Sequence, residues 1–218
     1  MMKKLSALLL AFLLALSAFP ALAEAVPISQ ADEPLTLEKV RGEIDGDAYR
    51  NSFLGLGFRL PENWRFYTEQ EIRLTNERAG VILGGEGEEL QAQNASIAVM
   101  AASAHVGYAN LNLQILYLGP MLSLLRLLDA KSLAASQART MQVTLRNSGM
   151  QDVEVSQDTI VVDGWECDCL RMSYSRMQMN LYATQLYLLQ EECMVYVTAT
   201  ASSAEEADRA LENLFWLE

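Results

Sequence analysis

Histidine is almost absent from this chain of 218 residues, which contains one. The shortage bears on nucleophilic catalysis, because a Ser hydrolase usually needs a His to take the hydroxyl proton. That histidine, His105, follows Ser103 in a loop-like stretch, and no Gly-x-Ser-x-Gly motif occurs. We therefore predict no catalytic residue and a solvated or structural role for His105.

Positive charge is also in short supply. Lys and Arg total 16 against 28 Asp and Glu, which gives a formal charge of −12. An acidic chain repels nucleic acids and anionic lipid surfaces at ordinary salt, so we predict no nucleic-acid partner. The acidity itself indicates a soluble surface rather than a particular fold.

The first 23 residues show the three parts of a secretory signal peptide. Lys3 and Lys4 form a basic start, Leu5 to Phe19 form an apolar run, and Ala21-Leu22-Ala23 matches the small-x-small cleavage pattern. The apolar run is too short for a comfortable membrane span. We predict cleavage after Ala23, no stable membrane span after cleavage, and a secreted or extracytoplasmic protein. An uncleaved leader that anchors the chain is the alternative.

Cleavage of 23 from 218 residues leaves 195, the size of one ordinary domain. Residues 24–46 are predicted to be a flexible lead-in, because an apolar period is missing there and prolines and acids are scattered through it. Residues 47–218 are predicted to be a single α+β domain.

The first half of the domain shows strand and helix signals in alternation. Apolar residues alternate from Tyr49 to Leu60 around two glycines, which predicts a hairpin or a bulged strand pair. Thr68 and Glu71 have the spacing of a capping box for a helix that ends at about Arg78. The remaining predictions here are an exposed linker over Gly80–Glu89, strands over Ser96–Ala102 and Leu111–Leu118, and a helical region after Pro120 that includes Ala134–Leu145 and is capped at Gly149.

The C-terminal third predicts an antiparallel β meander and a final helix. Asp163-Gly164 is a strong hairpin signal, and short turns between runs require antiparallel pairing. Ser203 and Glu206 form a second capping box, and apolar residues recur with helical period as far as Phe215, so we predict a helix over Ser203–Leu217. The β-rich runs are Val153–Val155, Thr159–Val162, Trp165–Tyr174, Leu181–Leu189 and Met194–Thr200.

Three cysteines, Cys167, Cys169 and Cys193, are an odd number for an exported protein. Cys167 and Cys169 lie two apart in a predicted strand and point to the same face. One intervening strand would put Cys193 about 10 Å from them, beyond the roughly 7 Å Cα limit for a disulfide. We expect no intrachain disulfide, and read the thiols as small buried groups.

Two kinds of chemistry stay open as alternatives. Glu166 and Asp168 face the same side of one strand and could act as an acid pair in a carboxylate-based hydrolase, although an acidic solvent edge looks the same. Thiol and thioether groups are the ligands that Cu(I) prefers, and core packing uses the same residues. The soft-metal candidates are Cys167, Cys169, Cys193, Met172, Met177, Met179 and Met194.

The aromatic candidates for a cleft are Tyr49, Trp64, Tyr67 and Trp165. Asn94-Ala95-Ser96 matches a glycosylation sequon.

The order of elements resembles the PsbP-like fold. The resemblance is carried by an opening that reads Tyr49-Arg-Asn51 through Phe58-Arg-Leu-Pro61-Glu-Asn-Trp64, followed by a capped helix, two strands, a helix, a meander and a last helix. This fold is shared by an extrinsic photosystem II subunit and Ran-binding Mog-type proteins. The chain is similar also to exported, uncharacterised proteins of anaerobic Gram-positive bacteria with a Phe-x-x-Pro-x-x-Trp opening. The resemblance spans about Asp47 to Leu217 and implies an antiparallel sheet flanked by helices, with a role in binding proteins rather than in catalysis.

The sequence therefore predicts an α+β fold in which an antiparallel β-sheet meander is flanked by helices and preceded by a signal peptide. The predicted function is that of an exported, non-enzymatic binding or protein-interaction module at the cell envelope. Its partner would be an unknown envelope protein or a small ligand, without a cofactor. No catalytic, cofactor-binding or metal-binding residue is assigned.

Overall fold

A computed structural model describes residues 36–78, 96–118, 130–190 and 193–217. The predicted signal peptide, the Gly80–Glu89 linker, the Asn94 sequon position and the start of the helical region after Pro120 lie outside the described residues. None of the helices in the described ranges is long and apolar enough to cross a membrane.

The described residues form four helices and eleven strands. The helices are α1 (Leu37–Val40), α2 (Glu69–Arg78), α3 (Ala130–Asn147) and α4 (Ala204–Leu211). The strands of the first half are β1 (Glu43–Asp45), β2 (Ala48–Asn51), β3 (Leu56–Arg59), β4 (Trp64–Phe66), β5 (Ile97–Ala104) and β6 (Asn110–Tyr117). The strands of the second half are β7 (Gln151–Val162), β8 (Trp165–Arg176), β9 (Met179–Gln190), β10 (Cys193–Ala201) and β11 (Leu214–Trp216).

These strands build two antiparallel sheets. A seven-stranded sheet has the order β4-β5-β6-β10-β9-β8-β7, and a four-stranded sheet has the order β1-β2-β3-β11. Strands β7 to β10 pair consecutively as a meander, and β10 then pairs with β6 from the first half of the domain. The predicted fold class, an α+β antiparallel meander flanked by helices, is confirmed.

The central strands of the seven-stranded sheet bury both faces. Its inner face packs against the four-stranded sheet and α4, and the core there includes Phe58, Leu113, Val197 and Leu211. Its outer face packs against α3 through Met141 and Leu145, and against α2 near Ala98. Because strand side chains alternate between faces, each central strand contributes to two different cores.

Local signals place several elements where the sequence predicts them. In the first capping box, the Thr68 hydroxyl accepts from the Glu71 amide at 3.3 Å and the Glu71 carboxylate accepts from the Thr68 amide at 2.9 Å. Asp163 and Gly164 both have positive φ, at 48° and 81°, as a two-residue hairpin requires. Gly149, with φ of 82°, follows the end of α3.

The structure corrects three predicted boundaries. Within the predicted flexible lead-in of residues 24–46, Leu37–Val40 is helical and Glu43–Asp45 is a strand. This segment is ordered because Val40 is fully buried and its carbonyl accepts a 2.7 Å hydrogen bond from Asn51 Nδ2.

The predicted helix over Ser203–Leu217 ends at Leu211, and the residues after it form β11. The Asn213 side chain donates to the Arg209 carbonyl at 2.9 Å at the end of the helix, and Leu214 then pairs with Phe58 of β3. Ser203 accepts from the Glu206 amide as predicted, but the Glu206 carboxylate accepts from Ser202 rather than from Ser203. The runs Val153–Val155 and Thr159–Val162 form one strand, β7, instead of two.

Candidate functional site

Polar side chains are buried on the outer face of the three central strands. They form two rows across β6, β10 and β9, since residues opposite each other in antiparallel pairs share a face. None of them is more than 4% exposed. We call this set the polar layer; its first row is Asn112, Thr198 and Gln185, and its second row is Gln114, Tyr196 and Tyr187.

Hydrogen bonds connect the polar layer into two chains. In one chain, the Ser96 hydroxyl donates to Gln114 Oε1 at 3.0 Å and Gln114 Nε2 donates to Asn112 Oδ1 at 3.3 Å. In the other, the Tyr187 hydroxyl donates to Gln185 Oε1 at 2.7 Å and Gln185 Nε2 donates to Thr198 Oγ1 at 2.8 Å. These bonds offset much of the desolvation cost of the buried amides.

Among the residues that the structure describes, two polar atoms of the layer have no hydrogen-bond partner: Asn112 Nδ2 and the Tyr196 hydroxyl. Both residues are 2% exposed, so water at the protein surface does not reach them freely. A buried polar group without a partner costs about 1–3 kcal/mol. On α3, which packs on the same face of the sheet, Gln137 Oε1 is buried and unpaired as well. Unpaired buried groups of this kind call for an explanation in a folded protein.

The polar layer carries no ionised side chain. Its members are amides, a threonine and two tyrosines, and burial raises the pKa of Tyr187 and Tyr196 well above the usual value. The two tyrosine rings meet edge to face, with centroids 5.5 Å apart. The layer therefore offers neutral hydrogen-bonding groups and an aromatic wall.

A second polar cluster lies on the inner face and holds α4 in place. Arg171 Nη1 donates to both carboxylate oxygens of Asp208 at 2.7 Å, and Arg171 Nε donates to Asp158. The Thr184 hydroxyl donates to Asp208 Oδ1 at 2.8 Å. The bond from Arg171 lowers the pKa of Asp158. Because Arg171 and Asp208 satisfy each other, we read this cluster as the contact that docks α4 on the sheet.

The candidate catalytic residues of the sequence are not members of the polar layer. His105 is exposed in the turn between β5 and β6, where its amide donates to the Asn63 carbonyl at 2.8 Å. Glu166 is exposed and Asp168 is half-buried on β8, next to the edge strand β7. The structure therefore does not bring the acid pair together with His105.

The sheet divides the soft-metal candidates between its two faces. Cys169 and Cys193 belong to the core of the inner face, whereas Met172 and Met194 belong to the core of the outer face. Met177 is 76% exposed in the turn between β8 and β9. These side chains do not form the single ligand set that the Cu(I) hypothesis needs.

Cys193 is also far from Cys167 and Cys169 along the strands. Cys169 pairs with Leu186 of β9, and Cys193 pairs with Gln190, four residues further along that strand. At about 3.4 Å per residue and 4.8 Å per strand, this spacing is well beyond disulfide reach. It agrees with the expectation of no intrachain disulfide. Burial raises the pKa of the Cys169 thiol to about 12, which keeps it protonated.

The four candidate aromatic residues are scattered rather than gathered in a cleft. Tyr49 is buried in the inner core, and Trp64 packs against that core next to Phe58. Tyr67 lies beneath the Arg65 guanidinium at 5.0 Å, and Trp165 is 69% exposed at the β7–β8 hairpin. They do not line one binding site.

Sequence reasoning missed the polar layer. A signal was present, because Asn112 and Gln114 alternate with Leu113 and Ile115 in one strand. That alternation is typical of a strand with one solvated face. The pairing of β6 with β10, distant in the chain, is what places Thr198 beside Asn112, and both side chains are buried.

No protein-family model and no curated protein matches the sequence. Among solved structures, the chain is similar to a protein of Bacteroides thetaiotaomicron, at 11% identity and a TM-score of 0.39, over 80% of this chain and 50% of that one. It is also similar to LpqN of Mycobacterium tuberculosis, which is involved in cell envelope biogenesis, at 12% identity and a TM-score of 0.36, over 75% of this chain and 83% of that one. The chain thus spans half the length of the first of these structures. Neither likeness is close enough to assign a family or a function.

Proposed function

We propose that this protein is an exported, non-enzymatic binding module at the cell envelope, and that its ligand binds at the polar layer. The observation that carries the proposal is the presence of two unpaired polar atoms, Asn112 Nδ2 and the Tyr196 hydroxyl, among neighbours that are hydrogen-bonded to one another. A bound molecule that completes their hydrogen bonds would recover about 1–3 kcal/mol for each.

The chemistry of the layer supports binding rather than catalysis. A general acid or base works best with a pKa near the operating pH. The raised pKa values of Tyr187 and Tyr196 keep both hydroxyls protonated, and amides do not titrate. The layer can therefore hold and orient a ligand, but its side chains do not supply proton transfer at neutral pH.

Two sequence features support the place and the class of this function. The leader of residues 1–23, with its cleavage pattern at Ala21-Leu22-Ala23, supports export. The resemblance to the PsbP-like family supports a binding role, since members of known role act by binding proteins. N-terminal sequencing of protein recovered outside the cytoplasm tests the first point; a chain that begins at Glu24 is expected.

The binding role is tested by native mass spectrometry of the exported protein, purified without denaturation. The wild-type protein is expected to carry a noncovalent additional mass that is absent from the double variant Asn112→Leu, Tyr196→Phe. Tyr108→Phe, which changes an exposed tyrosine outside the layer, is the matched control and should retain the mass. A wild-type protein without additional mass, or an additional mass that the double variant retains, contradicts the proposal.

A further inference from the structure

We infer that the ligand is an uncharged amphiphile that presents a hydrogen-bond acceptor, a carbonyl or ether oxygen, to Asn112 and Thr198. This inference rests on the proposed function and adds the chemical class of the molecule bound. Four properties of the polar layer support it: the direction of its hydrogen bonds, the place where they end, its lack of charge and its apolar surroundings.

The two hydrogen-bond chains both end on a donor. Ser96 donates to Gln114 and Gln114 donates to Asn112 Oδ1, so the Asn112 amide is left with its Nδ2–H groups unused. Tyr187 donates to Gln185 and Gln185 donates to the Thr198 oxygen, which leaves the Thr198 O–H to donate. A threonine hydroxyl carries one donor and an amide nitrogen carries two, so both ends require an acceptor.

The two chain ends lie side by side. Asn112 of β6 and Thr198 of β10 are directly opposite in the antiparallel pair, where Cβ atoms lie about 4.5–5.5 Å apart. The unpaired hydroxyl of Tyr196 belongs to the next row of the same face. A carbonyl oxygen has two lone pairs and can accept from both donors at once. The geometry therefore fits one acceptor oxygen at the junction of the two rows.

The absence of charge in the layer determines the charge of the ligand. None of its six members is ionised, and all are at least 96% buried. Burying a charged group without a partner of opposite charge is far more costly than burying a neutral polar group that is hydrogen-bonded. A carboxylate, phosphate or ammonium head group is thus disfavoured, and a neutral ester, amide or ether is favoured.

Apolar side chains border the layer on the same face. Leu116 and Met194 form the next row beside Gln114 and Tyr196, and Leu170 lies opposite Gln185 on β8. All three are buried in the outer core. A ligand that places its acceptor oxygen between Asn112 and Thr198 would meet hydrocarbon and aromatic surface beyond it. The remainder of the molecule is therefore expected to be apolar, as in an acyl chain.

The test uses three probes with a sixteen-carbon chain and different head groups. Monopalmitoylglycerol is neutral and carries an ester carbonyl, palmitate is anionic, and hexadecyltrimethylammonium is cationic. Calorimetric titration of protein freed of bound molecules should show monopalmitoylglycerol binding at least tenfold more tightly than either charged probe. Asn112→Leu and the nearly isosteric Thr198→Val should each weaken that binding at least tenfold, and Tyr108→Phe should leave it unchanged. Circular dichroism of each variant checks that it folds.

The outcomes separate the ligand class from the binding role. Equal binding of the charged probes, or unchanged binding by folded Thr198→Val, overturns the ligand class. If the native protein nevertheless carries a mass that the Asn112→Leu, Tyr196→Phe variant loses, and that compound is charged or lacks an acceptor oxygen, the binding role stands without the inferred class. A crystal structure with only ordered water on Asn112 Nδ2, together with a native protein that carries no additional mass, overturns both.

Discussion

The facing tyrosines of the polar layer offer a matched pair of substitutions with opposite predicted effects on stability. Tyr187 and Tyr196 are directly opposite on β9 and β10, are both at least 96% buried, and have rings in contact. Within the described part of the chain, the Tyr187 hydroxyl donates to Gln185 at 2.7 Å, whereas the Tyr196 hydroxyl has no partner. The comparison therefore tests what the hydrogen-bonding state of a buried tyrosine hydroxyl contributes to stability.

The expected magnitudes follow from that difference. Tyr196→Phe removes an unpaired buried hydroxyl and should raise the free energy of unfolding by about 1 kcal/mol, the low end of the desolvation penalty. Tyr187→Phe removes a hydrogen bond and leaves Gln185 Oε1 without its donor, so the free energy of unfolding should fall by about 2 kcal/mol. For a chain of this size, each kcal/mol corresponds to about 2–4 °C in Tm.

The assay is urea unfolding, followed by circular dichroism, of protein refolded free of bound molecules. The Tyr196→Phe midpoint should lie above that of the wild type and the Tyr187→Phe midpoint below it, with unchanged slopes. Equal destabilisation by both substitutions would refute the reasoning, because it would mean that the Tyr196 hydroxyl has a partner. With ligand bound, Tyr196→Phe should lose its advantage.

Three further predictions concern other parts of the fold. The hydrogen bonds from Arg65, with smaller contributions from Thr68, lower the pKa of Glu71 from 4.5 to about 2. A lowered pKa stabilises the fold fully above about pH 4.5, and this contribution is lost as the pH falls towards 2. Glu71→Gln should therefore reduce stability at pH 7. Its urea midpoint should also fall less steeply than that of the wild type as the pH drops from 4.5 to 2. The same pH dependence in the variant and the wild type would contradict this.

A Cβ at Gly57 would overlap the Phe215 ring, so Gly57→Ala should lower the free energy of unfolding by about 1–3 kcal/mol. Part of this loss should be recovered when Phe215→Leu is added. A double variant without any recovery would contradict the steric cause. Removing residues 203–218 deletes α4 and β11 and should leave the chain unfolded or aggregated; a truncated protein that stays monomeric with the same Tm would refute the role of these elements.

Local sequence signals were sufficient for most of the fold. The strands of the meander have clear turns between them, and Asp163-Gly164 provides the positive φ angles that a two-residue hairpin needs. The β8–β9 turn shows where such signals stop: Met177 and Gln178 adopt positive φ without being glycines. Pairing of the flanking strands imposes this turn, and residues 177 and 178 are not of the types that usually indicate a tight turn.

Elements that depend on distant partners were harder to predict. Leu214 and Phe215 continue the helical period of α4. They nevertheless form strand β11, because they pair with the edge of β3, which lies more than 150 residues earlier in the chain. The segment Leu37–Asp45 likewise has little apolar pattern of its own, and its order depends on contacts of Val40 and Gly42 with β2 residues Asn51 and Tyr49.

Strand parity explains why the grouping of the soft-metal candidates was wrong. Cys169 and Met172 differ by an odd number of residues in one strand, as do Cys193 and Met194, so period two already places thiols and thioethers on opposite faces. The polar layer needs more than parity. Asn112, Thr198 and Gln185 become one row only through the registers of two strand pairs, one of which joins the two halves of the domain.

Ligand binding at the polar layer is tested most directly by the electron density beside Asn112 in a high-resolution crystal structure of the protein purified without denaturation. Continuous density is expected for a non-protein molecule whose acceptor oxygen lies within hydrogen-bond distance of Asn112 Nδ2 and the Thr198 hydroxyl. Density for isolated water molecules alone, or a protein group that occupies both donors, would contradict it.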